Sequence, residues 1–274
     1  MGATASLKRG IGSAVKAAAA GVDVVRPGEP GLVVLIYHRI GGWTSSQVDL
    51  ATGRFDEQVA ELAEAGRLVS LDHGLSRLMA GDLHDRPVVL SFDDGTADWV
   101  DEVLPVLSRY RAPATFYVAT DFVERGLSFP GGAAPISWAG LGELLSSGLA
   151  TVGSHTHTHA LLDRADGPTA ASELDRSIEL IGEQLGVACE HFAYPKALLG
   201  APPAEGEVRQ RFRSATLAGS RANPAGADLH RLHRTPIQVA DGMRWFRRKA
   251  AGGMRLEDTA RSVLNRRRYA GATT

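Results

Sequence analysis

Pro87-Val88-Val89-Leu90-Ser91-Phe92-Asp93-Asp94-Gly95 runs from an unbroken apolar stretch into two adjacent carboxylates and a glycine. A short β-rich run without polar alternation reads as a strand covered on both faces, the condition of a parallel sheet wrapped by helices. Asp-Asp-Gly then turns the chain out of it. About sixty residues later Leu149-Ala150-Thr151-Val152 repeats the pattern and opens into Gly153-Ser154-His155-Thr156-His157-Thr158-His159. Strand ends carry the sites of α/β folds, so both polar segments fall where chemistry gathers.

Together the segments offer carboxylates and imidazoles, the donors that zinc prefers, and a catalytic site uses three protein ligands with one position open for water. Asp94, His155 and His159 fit that count, with Asp93 beside them as a base for the proton of an attacking water. Periodicity leaves the histidines open. His155 and His159 share a face in a helical turn or in a strand, and a strand would bring His157 to that face too.

The same residues resemble the polysaccharide deacetylases, carbohydrate esterase family 4. Ser91 to Gly95 is similar to the family's (T/S)-F-D-D-G motif, and His155 to His159 to its H-(S/T)-x-x-H motif. Phe192-Ala193-Tyr194-Pro195 is similar to a Phe-Ala-Tyr-Pro form of the third motif, and the likeness extends from about Leu32 to about Val239. The resemblance implies a distorted (β/α)7 barrel in which Asp93 is the base and Asp94, His155 and His159 hold a divalent metal. Zn2+ suits such donors, with Co2+, Ni2+ or Fe2+ also compatible. It implies further that the backbone N–H after Pro195 faces the developing oxyanion, with Tyr194 and Lys196 beside the substrate.

His38 ends the apolar run Gly31 to Tyr37, and the likeness to a branch with Tyr-His on the first strand makes it the candidate general acid. Ala193 stands where the family commonly has an arginine that holds the base. Lys196, Arg221 and Arg234 are the candidate replacements.

The expected function is removal of an acetyl group from an N-acetylated sugar or polysaccharide. The alternatives are a catalytically weak carbohydrate-binding relative and an O-acetyl esterase. At 274 residues one α/β barrel accounts for the chain. The formal charge of −1 gives no overall attraction to nucleic acid, and the lone Cys189 cannot form an internal disulfide.

Three regions are expected: residues 1–30 as an N-terminal helix and linker, 31–240 as the barrel, and 241–274 as a basic helical extension. The last has nine basic residues against three acidic ones, with Trp245 and Phe246 among them. It reads as a packed helix with a solvated face, with peripheral contact to an anionic membrane as the minor alternative. Lys16 interrupts the apolar part of the N-terminal segment, which argues against a signal peptide and for a cytoplasmic location. Oligomeric state is not readable from these patterns.

Strands are expected at Val33 to Tyr37, Val88 to Phe92, Ala114 to Val118, Ala150 to Ser154, His191 to Tyr194, Arg213 to Leu217 and Thr235 to Val239. Helical stripes are expected at Phe55, Val59 and Leu62, at Trp99, Val103, Val106 and Tyr110, and at Leu174, Ile178, Ile181 and Leu185.

Overall fold

A computed structural model describes Lys16 and residues 30–255. Seven parallel strands close into a barrel in the order β1 (Val33–Tyr37), β4 (Val88–Asp94), β5 (Ala114–Val118), β6 (Ala150–Ser154), β7 (His191–Ala193), β8 (Ser214–Ala218) and β9 (Leu232–Pro236). Two short strands, β2 (Arg39–Ile40) and β3 (Asp49–Leu50), pair beside it. Three of the seven barrel strands have the expected bounds, and β4 continues through both aspartates. The last is displaced from the expected Thr235 to Val239, because a charged residue inside a barrel strand breaks the apolar signal. Arg234 is nonetheless fully buried there, and Pro236, which cannot donate a ladder hydrogen bond, ends the strand.

Alternate side chains divide the core. Outward-facing Val33, Leu35, Phe92, Phe116 and Phe192 pack with Phe55, Val59, Leu62, Trp99, Leu174 and Ile181 from the surrounding helices. Phe55, Val59 and Leu62 lie on the helix Thr52–Glu64, and Leu174 and Ile181 on Gly167–Leu185. Trp99 opens a π-helical turn, Trp99–Val103, that continues into the helix Leu104–Tyr110. Inward-facing Val34, Val89, Tyr117, Ala193 and Leu232 form a second cluster, closed from below by the helix Leu71–Ala80. Gly74 permits that closure, since a Cβ there would lie 2.9 Å from Leu32 Cδ1.

After β9 the chain enters the helix Gly242–Ala250, where Trp245 and Phe246 are buried. They are packing residues, and Arg247 pairs with Glu61 on the neighbouring helix. Asp241, fully buried, is held by Lys249 at 2.8 Å and by Lys16 at 2.6 Å. The rest of the expected N-terminal helix and linker, and the basic residues from Arg261 to Arg268, lie outside the described residues. No helix among the described residues is long and apolar enough to cross a membrane. Cys189 is buried, and burial pushes its thiol up to about 12.

Candidate metal centre

The mouth of the barrel lies at the C-terminal ends of its strands. Period two along β4 points Ser91 and Asp93 inward and would send Asp94 outward with Phe92. Asp94 has the left-handed φ of 85°, followed by Gly95 at 116°, and this turn brings its carboxylate back over the mouth. The histidine segment is neither strand nor helix. Thr156 and His159 have φ of 61° and 63°, and the irregular turn between them folds His159 onto His155, their ring centroids 5.0 Å apart. Lys196 and Ala197, after β7, are also left-handed. Non-glycine residues held in this region of backbone space cluster at functional sites.

Asp94 Oδ1 lies 3.6 Å from His155 Nε2 and 3.5 Å from His159 Nε2. Donor atoms of the three residues fall within 4.8 Å of one another, a span that one divalent cation can bridge. His155 Nδ1 lies 2.7 Å from the carbonyl oxygen of Ala193, and a ring N–H donated there would leave Nε2 free for a ligand bond. Burial pulls the His155 imidazole down to about 4, which keeps it in the neutral form that binds metal. Burial pushes the Asp94 carboxyl up, but contact with His159 and the potential of the nearby imidazoles outweigh it and hold the group ionised. The donor set therefore fits a divalent metal. His157 turns away, its Nδ1 2.9 Å from Thr120 Oγ1, and lies outside the trio.

Asp93 is 4% exposed and gripped bidentately by Arg234, Nη1 to Oδ1 at 2.6 Å and Nη2 to Oδ2 at 2.8 Å. Burial pushes its carboxyl up, and the guanidinium overrides this to hold it below the usual carboxylate range. Of the three candidate cations, Arg234 is the one that bonds Asp93. Arg221 is exposed in the turn after β8, and Lys196 is half-buried after Pro195. The clamp stands on a packed column. A Cβ at Gly153 would lie 2.8 Å from the Tyr117 ring, so glycine makes room for that ring, and the Arg234 guanidinium rests 5.0 Å above it.

His38 follows β1 at the mouth, near both aspartates. Its main-chain oxygen accepts from Trp99 Nε1 at 2.9 Å, while its buried Nδ1 has no hydrogen-bond partner among the described residues. Tyr194 is fully buried, its ring edge-on to Phe192 at 4.9 Å, so the side chain belongs to the core. The loop from Gly126 to Pro135 flanks the mouth, with Phe129 stacked on Phe122 at 4.4 Å and Phe122 edge-on to His159 at 6.5 Å.

A second trio, Asp72, Glu190 and His191, lies at the N-terminal ends of β7 and β8 with the same donor spacing. Arg213 is placed between its carboxylates, 3.0 Å from Asp72 Oδ1 and 2.8 Å from Glu190 Oε2.

Residues 80–209 match the family model described as polysaccharide deacetylase. The fold is similar to that of the Streptococcus pyogenes deacetylase PplD, solved in complex with acetate, at 21% identity over 80% of this chain and 98% of that one, with a TM-score of 0.71. It is also similar to IcaB from Ammonifex degensii at 27% identity, again over 80% and 98%, with a TM-score of 0.66. BC0361, a polysaccharide deacetylase from Bacillus cereus, shares 23% identity over 80% of this chain and 69% of its own, with a TM-score of 0.67. No curated protein matches the sequence.

Proposed function

We propose that this chain is a member of the polysaccharide deacetylase family, whose model matches residues 80–209, and a metal-dependent hydrolase that removes the acetyl group from an N-acetylated sugar within a glycan. The observation that carries the reading is the convergence of Asp94, His155 and His159 beside a separate, arginine-held carboxylate, Asp93. A divalent metal held by the trio supplies Lewis acidity and lowers the pKa of bound water towards about 7, with zinc the first choice on donor chemistry.

The chain's own residues divide the remaining work. Asp93, ionised and fixed by Arg234, accepts the proton of the attacking water. The Lys196 N–H after Pro195 is a backbone donor for the tetrahedral oxyanion, a role that tolerates the change of side chain at that position. His38 gives a proton to the departing nitrogen, so that acetate and a free amine result. A carbohydrate-binding relative without efficient chemistry is favoured only if the base lacks its cation, and the Arg234 clamp speaks against that. The acetate held by the S. pyogenes relative is consistent with the proposed product.

The reading is tested by measuring acetate release from N-acetylglucosamine oligomers by metal-loaded protein, with O-acetylated sugar as the contrast. Activity on the N-acetyl substrate that falls by about a hundredfold to ten-thousandfold in Asp93→Asn, with metal content retained, is the expected result. Activity confined to O-acetyl esters, or undiminished in the variant, overturns the reading.

A further inference from the structure

Of the four tryptophans, Trp99 is fully buried, Trp245 is 8% exposed, and Trp138 is half-buried with its N–H on Glu124. Trp43 is 73% exposed. It lies in the connection between β2 and β3, which follows β1 at the mouth, five residues beyond His38. That separation limits its distance from His38 to at most about 18 Å, the length of a few pyranose rings.

The connection is held tightly. The carboxylate of Asp49, 4% exposed, accepts the Gly42 N–H at 2.9 Å and the Thr44 N–H at 2.7 Å, the two amides flanking Trp43. Gly41 N–H bonds Leu50 O at 2.8 Å, and Ile40 N–H bonds Asp98 Oδ2 at 2.8 Å. A Cβ on Gly41 would lie 2.9 Å from Trp43 Cε2, so the indole rests against bare backbone on one side while most of its surface faces solvent. Leaving a large apolar ring in water lowers stability relative to burying it, and loops positioned by a rigid scaffold disproportionately carry binding residues.

We propose that Trp43 is a stacking platform for a pyranose ring of the glycan, next along the chain from the sugar that is deacetylated. The assignment deepens the deacetylase reading and rests on it. A flat ring held against backbone suits the apolar face of a sugar, and indole combines large contact area with few rotatable bonds. Its position on the face that carries Asp94, His155 and His159 selects the substrate as the occupant.

The test compares wild type, Trp43→Ala, Trp43→Phe and Gly41→Ala. For an acetylated hexasaccharide, Trp43→Ala is expected to raise KM by about tenfold, equivalent to about 1.4 kcal/mol, with kcat nearly unchanged. Trp43→Phe should recover part of the loss, and kinetics on the monosaccharide should not change. Gly41→Ala, whose Cβ would meet the ring and whose φ of 147° would strain the loop backbone, should resemble Trp43→Ala. Independently of turnover, the metal-stripped wild type titrated with hexasaccharide should show an indole emission change that Trp43→Phe lacks.

Unchanged hexasaccharide KM and emission in Trp43→Ala overturn the proposal. Loss of binding to anionic phosphatidylglycerol vesicles in that variant, with sugar kinetics intact, also overturns it and assigns the ring to a lipid surface. Oligosaccharide binding through Trp43 without acetate release by wild type would sink the deacetylase reading while keeping the platform. Acetate release that is indifferent to Trp43 would do the reverse.

Discussion

The barrel carries a carboxylate and histidine trio at each end, and the donor spacing does not tell them apart. Their surroundings do. At the N-terminal end Arg213 donates to both Asp72 and Glu190, so the chain already supplies the cation, and the two carboxylate side chains are 48% and 45% exposed. At the mouth the arginine is directed to Asp93, and the imidazoles of His155 and His159 lie near Asp94. Both rings are anchored through Nδ1, His155 on the Ala193 carbonyl at 2.7 Å and His191 on Ser214 Oγ at 2.9 Å, so the difference lies in the charge around the carboxylates. Unbalanced charge around three donors within reach of one another is what makes the mouth trio the better candidate metal centre.

The contrast is broken most directly by exchanging ligands. His155→Ala is expected to remove bound metal, measured by elemental analysis, and to reduce acetate release by at least about a thousandfold, about 4 kcal/mol of barrier. His191→Ala should leave one metal per chain and nearly full activity. Two metals in wild type, one of them lost in Asp72→Asn, would refute the distinction.

The arginines provide the next largest difference. Arg234→Met leaves Asp93 buried and unpaired and should lower unfolding free energy by about 3–5 kcal/mol in urea titrations. Activity should fall with it, because the proposed base loses its orientation. Arg213→Met, at an exposed pair, should cost no more than about 1 kcal/mol.

Acidity sharpens the comparison further. The neutral form of His155 is favoured in the fold and its pKa lies at about 4, below the ordinary 6.5, so the unfolded chain binds the extra proton between those values. Stability of the metal-free protein from this group is therefore full above about pH 6.5 and declines as pH falls towards 4, by on the order of 3 kcal/mol in total. His155→Gln should flatten that slope. The smallest effect is expected for Asp72→Asn, a few tenths of a kcal/mol in the same titrations.

The fold was readable because both faces of the barrel strands are covered. Continuous apolar runs at Val33–Tyr37, Ala114–Val118 and Ala150–Ser154 have the bounds expected of them. β9 was harder, since its buried arginine depends on Asp93, a partner 141 residues away. The donor residues were visible as types, but local periodicity could not rank the three histidines. Their ranking depends on left-handed turns at Thr156 and His159, which periodicity does not register. Arg234 has inward parity on β9, which pairs with β1, itself paired with the β4 strand that carries Asp93.

A closed ring of strands gives every inward position a view of the same axis. Ala193 on β7 and Arg234 on β9 occupy different places along the chain and around the ring, yet both look into one interior shared with Asp93. A charge missing from one stave can thus be delivered by another without moving the group it serves. In such architectures a blank at a motif position is better searched for around the circumference than mourned along the sequence.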